Sequence, residues 1–72
     1  MKKFYFTFGS GQMHENGFVE IEAPTMAEAR KKMNNAFGNK WSFAYSENEW
    51  IMERDGKKTS QEEFFGLHRV NI

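Results

Sequence analysis

The sequence contains no cysteine, so neither a disulfide nor a thiolate metal site can hold it together. The absence leaves the redox compartment open, although a secreted domain this small is more often disulfide-rich. Net charge is also missing, because ten Lys and Arg balance ten Asp and Glu. That balance argues against strong non-specific binding of DNA or RNA, which draws most of its affinity from cations on phosphate. It argues equally against an acidic mimic of nucleic acid. No apolar run approaches the ~20 residues of a membrane-spanning helix. Met1-Lys2-Lys3 ahead of Phe4-Tyr5-Phe6 resembles the start of a signal peptide. Thr7, Gly9, Ser10, Gly11 and Gln12 interrupt it before an apolar region develops. The expectation is a cytoplasmic protein with no membrane association.

Catalytic constellations are missing as well. His14 and His68 are far apart, and without thiols they offer no metal-ligand spacing, so both are expected at the surface. Ser10 with His14 makes no triad, since nothing marks a nucleophile elbow or an orienting acid. Gly56-Lys57-Lys58-Thr59 resembles the end of a phosphate-binding loop, but Ile51 stands where that loop needs its first glycine. A solvated basic turn is expected there instead. Glu62-Glu63 falls in the first turn of an expected helix, where carboxylates favour the helix dipole. The chain is therefore read as a non-enzyme with no cofactor.

What the chain does have is rings. Eight Phe, two Trp and two Tyr make 17% of its 72 residues aromatic. A chain this short buries only about 60% of the surface its unfolded form exposes. Each buried ring removes ~150–250 Å² from water, so a Phe-rich core replaces the missing staples. Residues 1–72 form one domain, with no repeats and no linkers.

Lys3 to Phe8 alternates, with Phe4, Phe6 and Phe8 on one face and Lys3, Tyr5 and Thr7 on the other, as a half-buried strand does. Gly9-Ser10-Gly11 ends it. Phe18 to Glu22 is a second strand with Val19 and Ile21 inward, and the short connection makes the pair antiparallel. Thr25 and Glu28 form a capping box that opens a helix to Phe37, whose apolar stripe is Met26, Ala29, Met33, Ala36 and Phe37. Gly38 is placed to end it in the left-handed conformation. Trp41 to Tyr45 reads as a third strand with Trp41, Phe43 and Tyr45 on one face. Ser46 with Glu49 is a second capping box, so a short helix over 47–52 is preferred; the alternative is a strand over Trp50–Arg54 turning at Asp55-Gly56. Ser60 with Glu63 is a third box, for a helix carrying Phe64 and Phe65 to Gly66. Val70 and Ile72 alternate as a final edge strand. The fold expected is α+β in the order β-β-α-β-(α)-α-β, a small antiparallel sheet with the main helix on one face.

One helix stripe cannot cover both faces of a sheet. Tyr5, Phe18, Trp50 and Trp41 are therefore the rings expected to be partly exposed. An exposed aromatic cluster rimmed with mixed charge is a typical protein-binding or base-stacking surface. Tyr, Trp and Arg concentrate binding energy, which singles out Tyr5, Trp50 and the nearby Arg54. The competing reading has Trp50 plugging the open side of the core. An alternative function is nucleotide binding or sequestration, with Tyr5 or Trp41 stacking a base while the Gly9, Ser10 and Gly11 amides, Lys40 or Arg54 meet phosphate. A hairpin loop is the ordinary reading of Gly9-Ser10-Gly11. A third reading is an RNA or single-stranded DNA module, although the basic-Gly-aromatic motif of RNA-recognition sheets is absent.

Tyr5 to Gln12, Gly17 to Ala23, Glu28-Ala29-Arg30 with Met33, and Phe37 to Tyr45 together resemble a group of small phage and prophage proteins of Gram-positive bacteria. Ser60-Gln61-Glu62-Glu63 and Phe65-Gly66-Leu67 resemble that group's carboxyl-terminal pattern, so the likeness spans nearly the whole chain. It carries no catalytic residue to any position. What it implies is a setting, in which small accessory proteins bind host machinery or defence systems, including nucleases such as CRISPR effectors. The expected function is thus stoichiometric binding that inhibits a host or defence protein.

Overall fold

The computed structural model describes residues 1–72 as an α+β domain built on an antiparallel pair. β1 (Lys2–Thr7) pairs with β2 (Gly17–Ala23) in a register that sets Phe4 opposite Ile21 and Phe6 opposite Val19. β3 (Phe43–Ser46) lies antiparallel on the other side of β1, with Ala44 opposite Phe6 and Tyr45 opposite Tyr5. β6 (His68–Arg69) completes the sheet, in the order β3-β1-β2-β6. It runs parallel to β2 and ends before Val70, so the last strand comes earlier than the Val70–Ile72 alternation predicts. Val70 still donates its N–H to the Phe18 carbonyl at 2.7 Å, whereas Ile72 is exposed.

The α1 helix (Met26–Phe37) begins where Thr25, in extended conformation, accepts the Glu28 N–H at 3.2 Å. It ends at Gly38, which donates its N–H to the Asn34 carbonyl at 2.8 Å; its φ of 64° is positive, but its ψ of −132° takes it outside the left-handed helical conformation expected there. Its inward side chains, Ala29 and Met33, are fully buried against Phe4, Phe6, Phe8, Val19, Ile21 and Ala23. Met26 and Phe37 flank this core, but Ala36 is exposed and does not belong to the stripe.

After β3 the chain makes one helical turn, α2 (Glu47–Trp50), then a hairpin of β4 (Ile51–Arg54) and β5 (Lys57–Ser60). Helix and strand, weighed as alternatives for this stretch, both form in succession. Ser46 closes a complete capping box with Glu49, and the Ser46 N–H holds the Glu49 carboxyl below the usual carboxylate range. Asp55 and Gly56 have φ of 51° and 76°, the pair of positive values that a two-residue hairpin turn needs. Lys57 and Lys58 are accordingly strand residues, not a free basic turn. The α3 helix (Gln61–Phe65) follows, capped by Ser60 and ended by left-handed Gly66.

Candidate protein-binding surface

Strand alternation sends Tyr5 and Phe18 to the sheet face away from α1. The capping box at Ser46 fixes where α2 starts, and one turn later Trp50 drops onto that face. Its ring stacks on Tyr5 at 4.6 Å between centroids with 3° between planes, and meets Phe18 at 5.2 Å. Tyr5, Phe18 and Trp50 are 8%, 0% and 2% exposed, with Tyr45 and Leu67 packed beside them. These rings form a second small core. The expected surface around Tyr5 and Trp50 is not there, because the rings bury one another. Trp50 plugs the open side.

Charge closes the edge of this cluster. Glu20, directly opposite Tyr5, lies 3.7 Å from the Arg69 guanidinium, which also stands 5.2 Å from the centre of the Phe18 ring. Burial, reinforced by the Glu20 carboxylate, pushes the Tyr5 hydroxyl up to about 12.

The remaining expected site residues are not brought together. The Gly9 N–H donates to Gln12 Oε1, and the Gly11 N–H to Glu15 Oε1 at 2.6 Å. Two of the three amides expected to meet phosphate are therefore taken by the loop's own side chains, one of them an anion. Ser10 is an exposed turn residue between them. Trp41 precedes β3 and turns to the α1 side, not to the face of Phe43 and Tyr45. Its ring meets Phe6 edge-on at 5.1 Å, its Nε1–H donates to Asn34 Oδ1, and Arg30 lies over it. Lys40 is exposed at the end of α1, whereas Arg54 is on the hairpin with its guanidinium 4.8 Å from the centre of Phe64. His14, expected at the surface, is half-buried edge-on to Phe8 and Phe37.

The apolar groups that are exposed lie elsewhere. Every buried residue belongs to the stretch ending at Trp50, and none follows it. Beyond Trp50, the hairpin and α3 are fastened by modest contacts, such as the Gln61 amide on the Glu49 carbonyl at 3.1 Å. This lobe displays Ile51, Phe64 and Phe65 at 41%, 43% and 59% exposure. Phe64 and Phe65 meet edge-to-face at 4.8 Å. The sequence holds no signal for this exposure, because adjacent positions on a helix can share one apolar stripe. Phe43, on β3, is the other large exposed ring. No helix is long and apolar enough to cross a membrane.

No family model, curated protein or solved structure matches the chain.

Proposed function

We propose that the chain is a stoichiometric protein-binding module whose contact surface is the carboxyl-terminal lobe. The observation that carries this reading is the Phe64–Phe65 pair, two touching rings left exposed by a lobe with no buried residue of its own. Arg54 over Phe64 adds the cation that often accompanies aromatic anchors in binding hot spots. The same stretch of chain carries charge of both signs, in Glu53, Asp55, Lys57, Lys58, Glu62 and Glu63, the residue types that make up the polar rim of such anchors. In the phage setting that the sequence resemblance implies, the partner is a cytoplasmic host or defence protein and binding inhibits it.

The test is capture of a partner by the wild-type chain and by a Phe64→Ser/Phe65→Ser variant. Truncating a hot-spot ring costs at least about 2 kcal/mol, so the variant should bind about 30-fold or more weakly. It should keep its melting temperature, since both rings are already exposed. A folded variant that holds the same partner with unchanged affinity removes this surface from consideration.

A further inference from the structure

The two edges of the four-stranded sheet are guarded differently. β6 is two residues long, and both of them, His68 and Arg69, are exposed and polar. β3 has four residues, and the run from Trp41 to Ser46 contains no charge and no proline. Sheet edges are ordinarily blunted by Lys, Pro, a bulge or a covering element, because a bare edge is a template for another strand. β3 has β1 on one side and no strand on the other. Phe43, 62% exposed, lies 6.4 Å from Tyr45 between ring centres, so the bare edge also carries an apolar flank.

We propose that β3 pairs antiparallel with β3 of a second copy of this chain, so that two four-stranded sheets become one continuous sheet. The strand is self-complementary about a two-fold axis at Ala44. In that register Ala44 faces Ala44 of the second copy, and each Phe43 falls opposite the other copy's Tyr45. Directly opposed side chains have Cβ atoms about 4.5–5.5 Å apart, so each exposed Phe43 exchanges water for a ring. Charge agrees with this arrangement. Lys40, just before β3, comes to the end of the second copy's strand, where Glu47 and Glu49 open α2. The two-fold axis makes that attraction twice and sets no like charges against each other. A four-residue pairing is small beside the ~1,200 Å² at the low end of stable interfaces, so the dimer is weak and concentration-dependent.

Sedimentation of the full chain from about 10 µM to about 1 mM reads the association directly. The expected result is a mass that rises toward twice the monomer. Phe43→Lys should return it to the monomer with an unchanged melting temperature, and Phe65→Lys should leave the association as it was. Because the chain has no cysteine, Ala44→Cys adds a single thiol. That thiol should form an intermolecular disulfide under mild oxidation, which the same change at Phe65 should not. A monomer at every concentration overturns the proposal. So does a dimer that survives Phe43→Lys, or a folded, dimeric Ala44→Cys variant that does not cross-link.

Discussion

Trp50 lies flat on Tyr5, with ring centres 4.6 Å apart and planes within 3° of parallel. This contact gives the sheet a second core. On one face α1 covers Phe4, Phe6 and Phe8; on the other a single helical turn delivers one indole that covers Tyr5 and Phe18. A four-residue helix has too little surface to do this with a stripe. It does it with the largest side chain available, placed at its last position by the capping box at its first.

Trp50→Ala should therefore destabilise the fold by roughly 3–5 kcal/mol, the usual cost of removing a buried aromatic. In a domain this small that is a large share of the total stability. Thermal or urea unfolding measures it, and Trp50→Phe should recover part of the loss by keeping a ring on Tyr5. A Trp50→Ala melting temperature equal to that of wild type would falsify the second core.

The same burial makes stability depend on alkaline pH. Tyr5 ionises near 10 in the unfolded chain and at about 12 in the folded one. A raised pKa means that the neutral hydroxyl is the form the fold favours. Its contribution is complete below pH ~10 and is lost as pH rises from there through about 12. Wild type should lose melting temperature over that window, and Tyr5→Phe should lose less. Parallel curves for the two proteins would remove Tyr5 as the source.

Much of this architecture is legible in the sequence because it is written in local periods. The alternation from Phe4 to Phe8, the Ala29–Met33 spacing, and Ser or Thr three residues before Glu each state a conformation without knowledge of what lies across the core. What the sequence does not state is which distant groups meet. Trp41 shares parity with Phe43 and Tyr45, so alternation assigns it to their face; the chain is not yet in β3 there, and parity fails. Tyr5 and Trp50 look exposable for a related reason. Each lacks a local partner, and each is the other's partner across 45 residues of chain. The Gly9 and Gly11 amides are missed for a local reason, since their acceptors are side chains three and four residues further along the same loop.

Gly17 is fixed by a close approach. A Cβ there would stand 2.8 Å from the His14 carbonyl oxygen and 2.8 Å from Val70 Cγ2. The carbonyl cannot retreat easily, since it accepts the Gly17 N–H in the turn that starts β2. Gly17→Ala should cost on the order of 1–3 kcal/mol, the range for overpacking a tight site. Gly11→Ala provides a comparison, because nothing lies near its Cβ position and the cost there comes only from its φ of 83°. If Gly17→Ala proves as stable as wild type, the turn is looser than its geometry implies.

The lobe beyond Trp50 should open on its own. An isolated hairpin is marginally stable in water, and β4–β5 pairs only with itself, with no residue of either strand buried. β1 and β2, by contrast, are each buried from both faces by residues such as Phe6, Val19 and Phe18. Regions with few buried contacts unfold locally at a fraction of the global free energy. Amide hydrogen exchange should therefore show the Ile51–Ser60 hairpin exchanging well before the β1–β2 ladder. Two interventions separate local from global opening. Gly56→Val strains a position at φ 76°, so it should speed exchange in the hairpin and leave β1–β2 protection unchanged. Trp50→Ala should accelerate exchange throughout the chain, because it removes the ring that joins α2 to the sheet. A bound partner on Phe64 and Phe65 should slow the hairpin most, since ordering the weakest segment is where binding changes protection the most. Equal protection of the hairpin and the β1–β2 ladder in the free protein would mean that the domain opens only as a whole, and that the lobe holds by contacts other than burial.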